Sequence, residues 1–242
     1  ASSNATYLAI LDGDDYWTND KLKRQLKLLD ADPEIGLVYS DFYTFPDGNA
    51  AAARAASAAD LSRMEDLTRS FFLCDPPILP STVILRRTAL DRAGHFDPDI
   101  RMFEETEMWL RLSRVCRFGF VAGPLAYKRY HRKSLTGGFR DVLPDHLSIA
   151  ARAVAMEPRL MPLVPRRMAE RARKLGNHRF LQGEMDDARR LLGVALRFDP
   201  WNARIWTSWL VVATAPRLAY TLLEPRLRRR RQAIGFYSLS IN

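Results

Sequence analysis

Three carboxylates surround one glycine at Asp12-Gly13-Asp14-Asp15, directly after the apolar run Tyr7-Leu-Ala-Ile-Leu11. Oxygen donors at Asp-x-Asp spacing suit Mg²⁺ or Mn²⁺, hard cations that take oxygen ligands and bridge to phosphates. Gly13 lets the backbone turn sharply between the donors. The same residues also read as an acidic turn capping the next helix; the strand-like run before them and the aromatic pair Tyr16-Trp17 behind them weigh toward chemistry. A second acidic group, Glu104-Glu105-Thr106-Glu107, stands at the head of a helical segment. A carboxylate held there beside a cleft can accept a proton. Acidic residues also favour a first helical turn simply through the helix dipole. A third group is basic: Lys128, Arg129, His131, Arg132 and Lys133. At a cleft edge such a cluster would neutralise a departing diphosphate. His131 can bind metal or phosphate, and it also reads as a structural or exposed residue; His95, in a turn, reads as surface.

The elements around these groups must bring them together. A buried strand over Tyr7–Leu11 would deliver the acidic turn to the carboxyl edge of an α/β sheet, where open sheets hold their ligands. Asn19 as N-cap and Leu22, Leu26 and Leu29 at helical spacing predict a helix over about 20–30, ended by Asp32-Pro33. Ile35–Phe45 reads as a strand, Asp47-Gly48 as a turn, and the alanine-rich stretch 49–60 as a surface loop or weak helix. An amphipathic helix is predicted over 61–73, a short buried strand over 80–87 and a helix over 88–93. The Glu104 segment continues as a helix on which Met108, Leu110, Leu112 and Val115 are largely apolar. A strand, a Gly123-Pro124 turn and a second strand follow over 117–134.

Leu11-Asp-Gly-Asp-Asp-Tyr-Trp17 with Asp20-Lys-Leu-x-x-Gln25 resembles the signature of family 2 glycosyltransferases, inverting enzymes of the GT-A fold. Phe103-Glu-Glu-Thr-Glu-Met-Trp-Leu-Arg-Leu112 resembles the same family's Glu-Asp-x-Asp-Leu-Trp-Leu-Arg motif, and Arg129, His131 and Ser134 match its Arg-x-His-x-x-Ser run. The likeness covers roughly residues 7–136. It implies a nucleotide-sugar donor and a saccharide or lipid-linked acceptor, with a place in bacterial cell-surface polysaccharide or glycoconjugate synthesis. It implies that Asp12 and Asp14 hold Mg²⁺ or Mn²⁺, and that Asp12, Asp15, Trp17, Glu104, Arg129 and His131 contact the donor or its diphosphate. Glu105 falls at the general-base position, where the family carries Asp, and Glu107 at the second Asp. Glu105 is one methylene longer than the usual base, which shifts its reach by about one bond length. Trp109 and Arg111 match the family and read equally well as core and salt-bridge residues. A GT-A domain would begin about a hundred residues earlier with a nucleotide-binding unit, so the chain is expected to be a partial GT-A (Rossmann-like) domain. A non-catalytic binding or scaffold protein on a degenerate transferase fold remains the alternative.

Composition divides the chain. Of 242 residues 47% are hydrophobic, as in a globular protein with a core. Residues 1–142 carry 19 Lys and Arg against 20 Asp and Glu, whereas 143–242 carry 18 against 8 and hold the whole excess of the +9 net charge. We therefore expect an α/β domain over 1–142 and an all-α region over 143–242. Within the latter, residues 169–202 have the spacing of one tetratricopeptide unit, with Gly176, Ala188 and Ala195 where two helices must approach. Five arginines lie within Arg226–Arg231, a run that can meet anionic lipid or simply be solvated. No nucleic-acid-binding fold accompanies it. Cys74 and Cys116 make no disulfide framework and read as reduced core residues. No signal segment or spanning run is visible. The expected location is cytoplasmic, peripheral at the inner face of the plasma membrane.

Overall fold

The computed structural model describes residues 4–58, 60–62, 64–74, 78–100, 102–130 and 142–214. They fall into two compact units, one drawn from Ala1–Phe71 with Asp75–Gly138, the other from Phe72–Cys74 with Phe139–Asn242.

The first unit is built on a mixed six-stranded sheet. Its strands are β1 (Tyr7–Ala9), β2 (Tyr16–Trp17), β3 (Ile35–Pro46), β4 (Arg54–Ala56), β5 (Ile84–Arg86) and β6 (Arg117–Tyr130). Their order is β1-β5-β3-β6-β2, with β4 paired to β3. β5 is antiparallel to both β1 and β3, while β6 is parallel to β3. Strands β1, β3 and β6 therefore point one way and end at one edge.

Helix α1 (Lys21–Ala31) packs on this sheet. Its Leu29 joins Ile35, Val38 and Ile84 in a core cluster, with Leu26 and Leu28 packed against it. The buried Gln25 amide donates to the carbonyls of Thr82 (2.7 Å) and Val38 (3.4 Å), so α1 is pinned to β3 and to the chain entering β5. Gly36 of β3 exists for close approach. A Cβ there would lie 2.5 Å from Cys116 Cβ and Sγ and 2.6 Å from Ala89 Cβ.

Several expectations are corrected. Gly123-Pro124 does not separate two strands: β6 runs on in one direction beside β3, with register shifts where Ser40–Phe42 face Val121–Ala126. Gly123 sits at φ +93°, and its N–H donates to the Asp41 carboxylate at 2.9 Å, so a bulge replaces the turn. Part of the alanine-rich stretch, Arg54–Ala56, is an edge strand, because β3 offers it a free side. The helix expected over 61–73 covers only Leu67–Leu73 (α2), and the strand expected over 80–87 opens with a 3₁₀ turn at Pro80–Thr82. Cys74 is exposed; Cys116 is half-buried, and burial pushes its thiol up to about 12.

Helices α3 (Arg87–Ala93) and α4 (Glu104–Leu112) pack together in the first unit. Their clasp is Arg111, whose five N–H groups are all used. Nε and one Nη meet Glu107 at 2.7 Å each, and the remaining donors reach the carbonyls of Ala93, Gly94 and His95 at 2.6 to 2.9 Å. Trp109 is fully buried. Of the two readings of Trp109 and Arg111, the core and salt-bridge one describes them.

The second unit is helical: α5 (Leu143–Met156), α6 (Val164–Leu181), α7 (Met185–Phe198) and α8 (Ala203–Thr214). Gly183, at φ +85°, lets the chain leave α6 and turn into α7. Gly176 is the point of closest approach, since a Cβ there would meet Leu192 Cγ at 2.9 Å and the Ala188 carbonyl at 3.2 Å. Ala188 and Ala195 are fully buried, and α8 completes two small cores through Ile205 and Val212. No helix among the described residues is long and apolar enough to cross a membrane.

Candidate active site

The topology explains why the acidic turn, the basic residues and Ser81 meet. Asp12–Asp15 follow β1, Lys128 and Arg129 close β6, and Ser81 enters β5, which runs the opposite way. All three therefore lie at one sheet edge. The turn is closed by the Asp15 N–H donating to the Asp12 carbonyl at 3.1 Å. The Ser81 hydroxyl accepts from the Asp12 N–H at 3.1 Å and donates to Asp15 Oδ2 at 2.7 Å. Asp15 Oδ1 accepts the backbone N–H of Arg129 at 3.1 Å.

Trp17 is half-buried, and its indole N–H donates to the Ser81 carbonyl at 2.7 Å. Lys21 Nζ lies 4.4 Å from the centre of its ring. This lysine is wholly buried and Nζ meets no hydrogen-bond acceptor, so desolvation brings its pKa down to about 7.

The charges couple the two acidic motifs. Asp12 is raised above the usual carboxylate range, first by burial and further by Asp14 and Glu104; Lys128 and the Ser81 hydroxyl hold it back. Asp15 is raised for the same first reason, against the hydrogen bonds from Ser81 and the Arg129 N–H. Burial pulls Lys128 below the ordinary lysine range, opposed by the charges of Asp15, Asp12, Glu105 and Asp14. One ammonium thus feels carboxylates from both motifs. Glu104 and Glu105 begin α4 after Phe103, which takes a left-handed conformation at φ 61°. Glu104 is exposed and Glu105 half-buried, whereas Glu107 turns inward to Arg111.

Not every candidate converges. The Arg129 backbone belongs to the site, while its guanidinium lies 3.8 Å from Asp47 and packs over Phe45. His131, Ser134 and the arginine run Arg226–Arg231 lie outside the described residues. Ser81 and Lys21 entered the sequence reading only inside motifs of the family resemblance, Pro80-Ser-Thr-Val83 on the acceptor side of the cleft and Asp20-Lys-Leu-x-x-Gln25, with no role for either side chain, and Lys128 only as one member of a basic cluster. The Pro80-Ser81-Thr82 element was visible, but nothing in it says that the hydroxyl points at an aspartate 66 residues away.

No three His, Cys, Asp or Glu side chains among the described residues are arranged to cage a metal ion. Mg²⁺ is usually held by one or two carboxylates, with water and substrate phosphates completing its shell. Asp12 and Asp14 are hard oxygen donors, and Asp12 is desolvated and repelled by its acidic neighbours, a state that a cation relieves. The donor set fits.

A family model described as Glycosyltransferase like family 2 matches residues 1–157. No curated protein matches the sequence.

Proposed function

The chain belongs to glycosyltransferase like family 2, and on that footing we propose that it is an inverting, metal-dependent transferase whose general base is Glu105. The family implies a nucleotide-sugar donor and an acceptor, and a GT-A-type α/β domain followed by helices agrees with it. Asp12 and Asp14 hold Mg²⁺ or Mn²⁺ against the donor diphosphate. When bound, the ion supplies Lewis-acid stabilisation of the leaving group. Glu105 takes the proton of an acceptor hydroxyl as its oxygen bonds to the anomeric carbon and the bond from that carbon to the diphosphate breaks. Lys128 and, beyond the described residues, His131 stabilise the negative charge that grows on the diphosphate. Trp17, Glu104 and Arg129 line the donor side. The acceptor is a saccharide or a lipid-linked saccharide of a surface glycoconjugate, and the Arg226–Arg231 run holds the enzyme at an anionic membrane. The helical hairpin α6–α7 is read as one tetratricopeptide-like unit on its close approach at Gly176.

The observation that carries this reading is the shared field of Lys128. Its ammonium feels the charges of Asp15, Asp12, Asp14 and Glu105 together, which supports a reading in which the metal donors and the base serve one cleft. The test pairs two variants of the protein. Asp14→Asn should abolish Mn²⁺-dependent donor binding, while Glu105→Gln should leave binding intact and remove turnover. Full transfer by Glu105→Gln would sink the base assignment. Lys128 also favours a second reading, a non-catalytic binding protein, because a resident ammonium already offsets the carboxylates. Absence of any Mn²⁺-dependent nucleotide binding would select it.

A further inference from the structure

We propose that Ser81 and Asp15 form a positioning clamp that fixes the Asp12–Asp14 turn against the end of β6, with Asp15 acting through the turn rather than on the donor. The inference rests on the transferase reading above and gives Asp15 a task different from the diphosphate contact that the family resemblance implies.

The geometry uses both sides of the Ser81 hydroxyl and both oxygens of Asp15. A hydroxyl has one proton and two lone pairs. Ser81 spends the proton on Asp15 Oδ2 and accepts from the Asp12 N–H. Asp15 then uses its other oxygen on the Arg129 N–H, and its own N–H closes the turn on the Asp12 carbonyl. Ser81 is itself fully buried, and its carbonyl is fixed by the Trp17 indole N–H at 2.7 Å. The two ends of the acidic turn are thereby tied to each other and to a third element.

The register shows why Asp15 must do this with its side chain. Strand β2 is only two residues long, pairing Tyr16 with Tyr127 and Trp17 with Ala126. Moving outward along β6, the next amide that faces this side is that of Arg129, and there β2 has already become the acidic turn. The Asp15 carboxylate replaces the missing strand and satisfies that N–H. A side chain placed this way sets the distance between the Asp12–Asp14 donors and the basic end of β6. Hydrogen bonds to a charged acceptor are among the stronger ones.

A double-mutant cycle with Ser81→Ala and Asp15→Ala tests the clamp, using Mn²⁺ alone, UDP and GDP as probes. Each single variant is expected to weaken Mn²⁺-dependent nucleotide binding by about tenfold. The double variant should be no worse than the weaker single one, because both break the same unit. Amide exchange followed by NMR supplies a readout that needs no ligand: the Asp12 N–H should lose protection in Ser81→Ala, and the Arg129 N–H in Asp15→Ala. Additive losses in the cycle would overturn the proposal, as would wild-type exchange at both amides. If the wild type bound no Mn²⁺ while both amides lost protection as expected, the clamp would stand and the metal-dependent reading of the function would fall.

Discussion

Replacing Lys21 by Met should stabilise the first unit, and by an amount that depends on pH. The lysine is wholly buried over Trp17, its Nζ meets no hydrogen-bond acceptor, and its pKa falls from 10.5 to about 7. Folding therefore expels a proton between those values. The unfolded chain binds more protons in that window, so wild-type stability rises with pH from about 7 to 10.5 and is lowest, and flat, below 7. At about 1.4 kcal/mol for each pH unit between the two values, the burden is about 5 kcal/mol below pH 7, about 2 kcal/mol at pH 9 and close to zero above 10.5. The cation–π contact with Trp17 returns about 0.5 to 2 kcal/mol of it. Lys21→Met keeps the length of the chain and removes the charge. Its gain over wild type should shrink by about 3 kcal/mol between pH 6 and pH 9. Cys116 and Tyr39, both pushed up by burial, titrate identically in the two proteins and cancel in the difference. The assay is hydrogen exchange of the β3 peptide in increasing urea, which reports the first unit alone. A gain that does not change with pH, or a loss at pH 6, would refute the reasoning and mean that the ammonium is solvated or paired inside the fold.

Three further outcomes follow from packing. Gly36→Ala should cost about 3 kcal/mol or more in urea unfolding, because the new methyl overlaps Cys116 and Ala89 within β3's packing layer. Arg111→Lys should lower the stability of the first unit by about 3 kcal/mol, since three donors on a point charge cannot replace the fork that holds Glu107 and three carbonyls; an unchanged midpoint would show that Glu107 finds another partner. Gly176→Val should loosen the α6–α7 hairpin by about 1 to 3 kcal/mol, read as loss of helical circular dichroism at a lower temperature, because one of its contacts is the Ala188 backbone carbonyl and cannot move aside.

Much of this was legible in the sequence where local pattern and local structure agree. The 3.6-residue spacing of Leu22, Leu26 and Leu29 gave α1 to within a residue or so at each end, and the apolar run Ile35–Phe45 gave β3. The helix of the second acidic motif begins at Glu104 as read, but it ends at Leu112, short of the Val115 that the apolar pattern had included. What stayed hidden depends on partners far along the chain. Strand β2 exists because Tyr127 and Ala126 lie beside it, and β4 because β3 has a free side. Gly123-Pro124 looked like a turn by composition; it is a bulge because β6 keeps its pairing with β3 on both sides and Asp41 caps the Gly123 N–H. Glu107 sits in an acidic motif as its neighbours do, yet only the packing of α4 on α3 decides that it faces Arg111 rather than the cleft. The candidate site was visible as residue types, and its clamp at Ser81 was not, since no spacing rule links positions 66 residues apart.

The central claim is that the Asp12–Asp14 turn takes a divalent ion together with a nucleoside diphosphate. Calorimetric titration of UDP and GDP into the protein, with and without Mn²⁺, tests it most directly, with Asp14→Asn as the control. The expected result is heat of binding that requires Mn²⁺ and disappears in Asp14→Asn. Equal binding with and without the metal, or a variant that binds as the wild type does, would contradict the claim.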